Sequence, residues 1–196
     1  MKTILVLGND KISGDISKLI HPNKNLYVYI DKSSDFKRVF KLLRRGSLGL
    51  SLLIKMIICE FKRTGSKPSS ALPTIQNNND LLKLMNDLNP ERILLFRAGL
   101  IINKKIINLG IPVNNIHAAK VPDFGGIGSI NNAIKSQEYN QFASLHTVTT
   151  TIDKGELLDY EEFTLNPKIN YCQNETVAYE SAKKLLLRTI ENNITL

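Results

Sequence analysis

Short apolar runs alternate with segments of helical spacing along the chain. Thr3 to Leu7 is an apolar, β-rich run that ends at a Gly-Asn-Asp turn with helix-capping residues. Leu26 to Ile30 repeats this pattern. Arg92 to Phe96 is a continuous apolar run, typical of the middle of a parallel sheet. We therefore expect a strand at each of these three places.

Helical spacing lies between these runs. From Ser33 to Arg63 apolar residues recur three and four positions apart, and the stretch is also rich in basic residues. Thr64 to Pro73 is rich in Ser and Pro and reads as a loop. The polar run that follows it caps a predicted helix, whose apolar face is formed by Leu81, Leu84, Met85 and Leu88.

The last third of the chain predicts a hairpin and a helix. Phe142 to Asp153 is rich in β-branched residues, and Gly155 to Phe163 has the pattern of its hairpin partner. Asn174 to Ile190 reads as a capped amphipathic helix. Its inward residues are predicted to be Ala178, Ala182, Leu185 and Leu186.

These elements together predict an α/β protein. We expect a Rossmann-like, doubly wound and mostly parallel sheet, with a C-terminal antiparallel hairpin and a terminal helix. At 196 residues the chain is long enough for one such domain and short for two. We therefore predict a single domain over residues 1–196, with a basic helical insertion at about 33–66. Ligands of such sheets bind at the carboxyl ends of the strands.

The net charge of +8 is concentrated between Lys32 and Lys67. Such a patch suits a nucleic acid, an acidic membrane surface or a small phosphorylated ligand, and a solvated helical face explains it equally well. The stretch from Phe40 to Phe61 also fits an amphipathic membrane contact, or a buried or dimer-forming helix pair. The charge pattern alone does not choose among these.

Two cysteines occur, Cys59 and Cys172, far apart and without a neighbouring Cys/His cluster. We expect two reduced core thiols and neither a disulfide nor a structural zinc site. The apolar run at the amino terminus is too short for a secretory signal. The run from Leu48 to Cys59 is well below the roughly 20 residues needed to cross a bilayer. We therefore expect a cytoplasmic protein with no stable membrane insertion.

Asn115 and His117 are the first candidates for chemistry. If Val113 to Ile116 is a strand, both side chains point to the same face at its carboxyl end, since side chains two positions apart share a face. They would then converge on a cleft. A lone His at a strand end is more often a structural residue than a catalyst, so spacing alone leaves both interpretations open.

The wider pattern around this pair resembles the folate-dependent formyltransferase family. The resemblance spans roughly Leu81 to Phe163. It consists of an Asn-x-His triplet, a Pro and a Gly after it, a His within a β-rich run, and an Asp followed by a Gly. In this chain these are Asn115, His117, Pro122, Gly126, His146, Asp153 and Gly155. Taken together the elements are specific, although each alone is weak.

The resemblance implies transfer of a formyl group from 10-formyltetrahydrofolate to an amine, with Asn115, His117 and Asp153 as catalytic residues. Asn115 would donate a hydrogen bond to the developing oxyanion. His117 would either stabilise that oxyanion as an imidazolium or carry the proton from the amine to the leaving group. Asp153 would raise the pKa of the His and hold the imidazole or a water in place. No metal is required.

The resemblance also implies a folate site. It would be formed by the segment from Leu94 to Ile102, where backbone groups would read the pteridine ring, and by the loop from Thr149 to Gly155. The candidates are Phe96, Arg97, Gly99, Leu100, Ile102, Thr149 and Gly155. A strand-to-helix turn that needs Gly99 for its backbone angles is a further explanation of that residue, and both can hold at once.

The acceptor is predicted less directly. The family usually has a basic residue where this chain has Gly125, and a Pro-Ser or similar pair where it has Ala118-Ala119. The chain ends one helix after its last hairpin, so we expect no tRNA-binding domain and no nucleic-acid partner. Glycinamide ribonucleotide transformylases carry a Gly-Ser-Asn phosphate cradle where this chain has LGNDKISG. The basic insertion resembles family members that serve surface-polysaccharide synthesis more than it resembles these transformylases.

We therefore expect a nucleotide-linked amino sugar as the acceptor. Its diphosphate would be drawn to the basic face by charge-assisted hydrogen bonds. The substrate-binding candidates are Gly8, Asn9, Lys11 and His146. The alternatives kept open are a glycinamide ribonucleotide transformylase of purine synthesis and a non-catalytic, formyltransferase-like binding module. A homodimer is also left open.

Overall fold

Seven strands form one sheet in the computed structural model, which describes residues 1–20, 24–33, 43–44 and 49–191. The strands are β1 (Thr3–Leu7), β2 (Leu26–Asp31), β3 (Thr74–Ile75), β4 (Arg92–Phe96), β5 (Val113–His117), β6 (Asn140–Thr147) and β7 (Leu157–Thr164). The helices of the described residues are α1 (Lys11–Leu19), α2 (Leu50–Lys62), α3 (Asn78–Leu88), α4 (Lys104–Ile107), α5 (Ser129–Lys135) and α6 (Tyr171–Glu191).

The strand order is β3-β2-β1-β4-β5-β6-β7. Strands β3, β2, β1, β4 and β5 run parallel to one another, β6 is antiparallel to β5, and β7 is antiparallel to β6. The predicted fold class, including the late antiparallel hairpin and the terminal helix, is therefore confirmed.

Both faces of the sheet are covered, as expected of a doubly wound fold. Alternate side chains of a strand point to opposite faces. In β1, Leu5 and Leu7 pack with α1, α5 and α6, whereas Ile4 and Val6 pack with α3 and α4. The near-continuous apolar runs of β1 and β4 follow from this burial on two sides.

Both helices predicted from the later parts of the chain are present. Helix α3 begins at a capping box, in which Asn77 and Asp80 satisfy each other's backbone N–H groups. The four residues predicted to face inward on α6 are all fully buried. Helix α2 accounts for the second half of the basic segment, and Phe36, Val39 and Phe40 lie outside the described residues. The single-domain boundary and the insertion remain predictions.

Cys59 and Cys172 form a disulfide between α2 and the beginning of α6. The expectation of two reduced thiols was therefore wrong. The two residues are 113 positions apart in sequence, yet the packing of α2 against α6 brings their Cα atoms within 5.3 Å. That separation suits a disulfide, but spacing along the chain does not reveal such a contact.

Candidate active site

A cavity of about 350 Å³ lies beside the carboxyl ends of β4 and β5. This volume falls within the range of small-molecule sites. It is bordered by the segments that follow β4, β5 and β6 and by one face of α6. Nine of the residues predicted for the site line it: Arg97, Gly99, Leu100, Ile102, Asn115, His117, His146, Thr149 and Asp153.

Asn115 and His146 are direct partners across the β5–β6 pair. Nδ1 of His146 lies 2.9 Å from the carbonyl oxygen of Thr147, and because a carbonyl only accepts, Nδ1 carries the proton. Nε2 of His146 accepts a hydrogen bond of 3.2 Å from Nδ2 of Asn115, because an amide nitrogen can only donate. The almost fully buried His146 thereby orients the Asn115 amide.

His117 is held in one orientation by the loop after β5. Its Nε2–H donates to the carbonyl oxygen of Phe124 at 3.0 Å. The unprotonated Nδ1 then faces Asp153, whose Oδ2 lies 3.9 Å away. Burial lowers the pKa of His117, and this effect outweighs the charge of Asp153 and the bond to Phe124, which both raise it. The imidazole is consequently neutral at pH 7.

The expected effect of Asp153 on the pKa of His117 is present, but it does not decide the net shift. Asp153 was expected to raise the pKa of His117, and its charge does act in that direction. The net shift is nevertheless downward, because only 17% of the His117 side chain is exposed to water. Among the two roles considered for His117, a neutral imidazole suits proton transfer better than oxyanion stabilisation as an imidazolium.

The Asp153 carboxylate lies between both histidines. Its Oδ1 is 3.6 Å from Nε2 of His146, and its Oδ2 accepts a hydrogen bond of 2.6 Å from the backbone N–H of Gly126. The backbone of Asp153 has a φ of 51°. Such left-handed conformations are rare for residues other than glycine and tend to occur at functional sites.

Asp31 anchors the segment that follows β4. Its Oδ2 accepts a 2.7 Å hydrogen bond from the buried backbone N–H of Leu100, and its Oδ1 accepts one of 2.7 Å from Ser33. The sequence interpretation missed this residue. A carboxylate that ends an apolar strand, as in LYVYID, was the available signal.

Arg97, in the same segment, has a φ of 55°. Its guanidinium forms an ion pair with Asp10 and lies 4.2 Å from the centre of the Tyr179 ring. Although Arg97 lines the cavity, its charge is therefore already engaged by residues of α6 and of the turn before α1.

Helix α6 contributes a polar wall that the sequence interpretation also missed. Tyr171, Glu175 and Tyr179, four positions apart, all line the cavity. Glu175 is buried, and its Oε2 accepts a 2.7 Å hydrogen bond from Arg63 at the end of α2. The spacing of four was visible in the sequence, but only the apolar face of this helix was assigned.

Three predicted site residues contribute to the packing around the cavity. Phe96 is fully buried in the core, and its carbonyl accepts a 2.9 Å hydrogen bond from the N–H of Gly8. A Cβ on Gly8 would lie 2.4 Å from the carbonyl oxygen of Arg97. A Cβ on Gly155 would lie 1.7 Å from the carbonyl oxygen of Thr147. The absence of a side chain thus lets the backbone of Gly8 approach that of Arg97, and the backbone of Gly155 approach that of Thr147.

Asn9 and Lys11 are not among the residues that line the cavity. Asn9 is exposed at the turn before α1. Nζ of Lys11 donates to the carbonyl oxygens of Phe61 and Arg63 at 3.1 and 2.7 Å. The Lys11 charge is thus placed at the carboxyl end of α2, where the helix dipole favours a cation.

Comparison with known proteins identifies relatives of this chain. The sequence profile of the family described as "Formyl transferase" matches residues 12–190. A methionyl-tRNA formyltransferase of Campylobacter jejuni is 28% identical over 120 residues, a region that covers 61% of this chain and 39% of that protein. The chain thus aligns with about two fifths of the length of this curated relative.

Solved structures share the fold. A likely sugar N-formyltransferase of Mycobacterium tuberculosis superposes with a TM-score of 0.67 at 14% identity, over 97% of this chain and 67% of the other. A phosphoribosylglycinamide formyltransferase of Streptococcus pneumoniae superposes with a TM-score of 0.61 at 15% identity, over the full length of both chains.

Proposed function

This chain belongs to the formyl transferase family, and we propose that it transfers a formyl group from 10-formyltetrahydrofolate to the amine of a nucleotide-linked amino sugar. The observation that carries the proposal is the convergence of Asn115, a neutral His117 and Asp153 on one cavity. A purely structural His at a strand end would need no such surroundings.

In the proposed reaction, the amine nitrogen forms a bond to the formyl carbon, and the bond between that carbon and the folate nitrogen breaks. The proton lost by the amine is the one gained by the folate nitrogen. The folate supplies the activated formyl group, and the protein must move one proton and stabilise one developing oxyanion.

His117 is the proposed proton carrier. Its Nε2–H is held by Phe124, so the lone pair is on Nδ1, the ring nitrogen that faces Asp153. A neutral imidazole at pH 7 accepts a proton from the attacking amine and then donates it to the leaving nitrogen. The lowered pKa of His117 favours the second transfer, since it makes the protonated ring a stronger acid.

Asn115 is the proposed oxyanion donor. A side-chain amide carries two N–H hydrogens. One is taken by Nε2 of His146, and the other would donate to the oxygen of the formyl group as charge develops on it. Because His146 fixes the amide before the reaction, little reorganisation is needed at the moment of transfer.

Asp153 is proposed to stabilise the positive charge that His117 acquires for a moment. Its Oδ2 lies 3.9 Å from Nδ1 of His117, a distance at which an opposite charge still favours the protonated ring. In the resting state no hydrogen bond joins them, because both the unprotonated Nδ1 and Oδ2 are acceptors. The gap allows a group that carries two protons, such as the attacking amine or a water, to bridge them.

The folate would lie against the segment after β4 and the loop after β6. The residues that line the cavity there include the apolar Leu100, Ile102, Val148 and Ile152, together with the rest of the segment 97–102. Apolar walls with a few polar groups suit a flat heteroaromatic ring. Phe96 and Gly155 would support this site through the backbone, without touching the ligand.

The proposed acceptor class is inferred from the solved structures that share the fold. Structures that share the fold include a likely sugar N-formyltransferase from Mycobacterium tuberculosis and a sugar N-formyltransferase from a Shewanella species, and these suggest an amino sugar. A glycinamide ribonucleotide acceptor is the second candidate, because the Streptococcus pneumoniae phosphoribosylglycinamide formyltransferase matches this chain over the whole length of both. The wall formed by Tyr171, Glu175 and Tyr179 is where we expect the two acceptors to differ in fit.

Thermal unfolding with a panel of ligands tests the proposal. A ligand that binds the folded state raises the melting temperature by mass action. We expect stabilisation by 5-formyltetrahydrofolate and by one of a set of dTDP-, UDP- and GDP-linked amino sugars. Stabilisation by glycinamide ribonucleotide instead would favour the second candidate. No response to the folate would indicate a binding module that has kept the fold without the reaction.

A further inference from the structure

Helix α2 has an exposed apolar stripe on the face turned away from the protein. The stripe consists of Leu50, Ile54, Ile57, Ile58 and Phe61, whose exposed fractions range from 43% to 80%. The opposite face is used internally: Leu52 and Cys59 are buried, and Met56 lines the cavity. Large apolar side chains scattered singly need no explanation, but a continuous helical stripe marks an interaction surface.

The charges beside the stripe are basic. Lys55 and Lys62 are exposed on α2, at one edge of the stripe. The one acidic residue of the helix, Glu60, is engaged within the protein: its Oε1 accepts from the N–H of Lys11 at 2.8 Å and its Oε2 from Arg63 at 3.0 Å. The face that α2 presents to solvent is therefore apolar and positively charged.

This combination favours an anionic surface over a second copy of the chain. In a symmetric pair of α2 helices the same patch would meet itself. In either helix direction the lysines of one copy would meet no unengaged carboxylate on the α2 helix of the other, because Glu60 is already bonded to Lys11 and Arg63 of its own chain. An anionic lipid surface accepts apolar side chains between its headgroups and places phosphates beside the lysines, whose stems reach the charged layer.

We propose that the apolar stripe of α2, with Lys55 and Lys62, docks the protein onto the surface of an anionic membrane. The helix would lie in the plane of the interface, with Phe61 and Ile54 inserted among the lipids. Within the described residues, no helix is long and apolar enough to cross a bilayer. The proposal does not depend on the formyl-transfer assignment, since none of the five stripe residues lines the cavity.

Sedimentation with vesicles tests this docking. The full chain is mixed with vesicles of phosphatidylcholine, with or without phosphatidylglycerol, and the bound fraction is measured. We expect binding to the anionic vesicles that weakens with salt, and at least about tenfold weaker binding to the neutral ones. Ile54→Ser together with Phe61→Ser should reduce the partition coefficient by at least about tenfold. Lys55→Gln with Lys62→Gln should reduce it by about 30-fold.

The matched control is Leu109→Ser, because Leu109 is 50% exposed but follows α4 on the other face of the sheet. It should bind as the wild type does. The proposal would be overturned if the wild type did not bind anionic vesicles. It would also be overturned if Leu109→Ser reduced the partition coefficient as much as the stripe variants do. A wild-type dimer that dissociates in the Ile54/Phe61 variant, without vesicle binding, would instead assign the stripe to self-association. If the Ile54/Phe61 variant folds poorly, the Lys55/Lys62 variant still tests the proposal.

Discussion

Gly125 and Asp153 are packed so closely that position 125 has no room for a side chain. A Cβ on Gly125 would lie 2.8 Å from the Cβ of Asp153, and the next residue, Gly126, donates its N–H to the Asp153 carboxylate. The glycine found where the family usually has a basic residue is therefore coupled to the position of a catalytic candidate. A side chain at position 125 would require Asp153 or its loop to move.

Gly125→Ala should reduce kcat for formyl transfer by at least about tenfold, because the added methyl group displaces the Asp153 side chain from the histidines. Gly125→Arg, which restores the expected basic residue, should be no better than the alanine variant. Asp123→Ala is the control, since Asp123 lies in the same loop and forms an exposed ion pair with Lys120. Full activity of the Gly125→Arg variant would contradict this prediction, since it would show that a side chain at position 125 does not disturb Asp153 enough to slow formyl transfer.

His117 should titrate below the usual histidine pKa of about 6.5, because burial disfavours its charged form. Between the folded-state pKa and about 6.5, His117 is protonated in the unfolded chain but not in the folded chain. This residue's contribution to the free energy of unfolding therefore falls as the pH drops from about 6.5 to the folded-state pKa. NMR titration measures the midpoint, and His117→Gln identifies the signal among the three histidines. A midpoint above 6.5 would contradict the neutral imidazole.

Asp31→Ala should weaken binding of 5-formyltetrahydrofolate by about tenfold. The buried N–H of Leu100 loses its acceptor, which costs about 1 to 3 kcal/mol and loosens the proposed folate segment. Asp31→Asn retains one carbonyl acceptor and should recover part of the affinity. Binding is measured by calorimetry, with the exposed Asp87→Ala as the control. If Asp31→Ala bound 5-formyltetrahydrofolate as tightly as the wild type, the segment after β4 would not be part of the folate site.

More of the fold than of the candidate site could be predicted from the sequence. Strands such as Arg92–Phe96 are short apolar runs that stand out because both faces of the sheet are covered. The Asn115–His117 spacing also placed both side chains at the cavity. What stayed hidden depends on contacts between distant residues: Asp31 with Leu100, and Cys59 with Cys172. Such pairs are set by the packing of elements, which local pattern does not encode.

The disulfide should make the stability sensitive to reduction. It closes a loop of 113 residues, and its removal should lower the free energy of unfolding by about 2 to 4 kcal/mol. Denaturation with urea, with and without dithiothreitol, measures this difference. Cys172→Ser should resemble the reduced wild type and should not respond to the reductant. Two free thiols in the unreduced, unfolded protein would contradict the bond.

The most direct test of the central claim is a single-turnover measurement of formyl transfer. Wild type, His117→Gln and Asn115→Ala are mixed with 10-formyltetrahydrofolate and the amino sugar that stabilises the protein, and the formylated product is quantified. We predict transfer by the wild type. His117→Gln should be slower by about 100- to 10,000-fold and Asn115→Ala by about 100- to 1,000-fold, both with nearly unchanged folate affinity. Transfer at the wild-type rate by either variant would contradict the proposed roles of these residues.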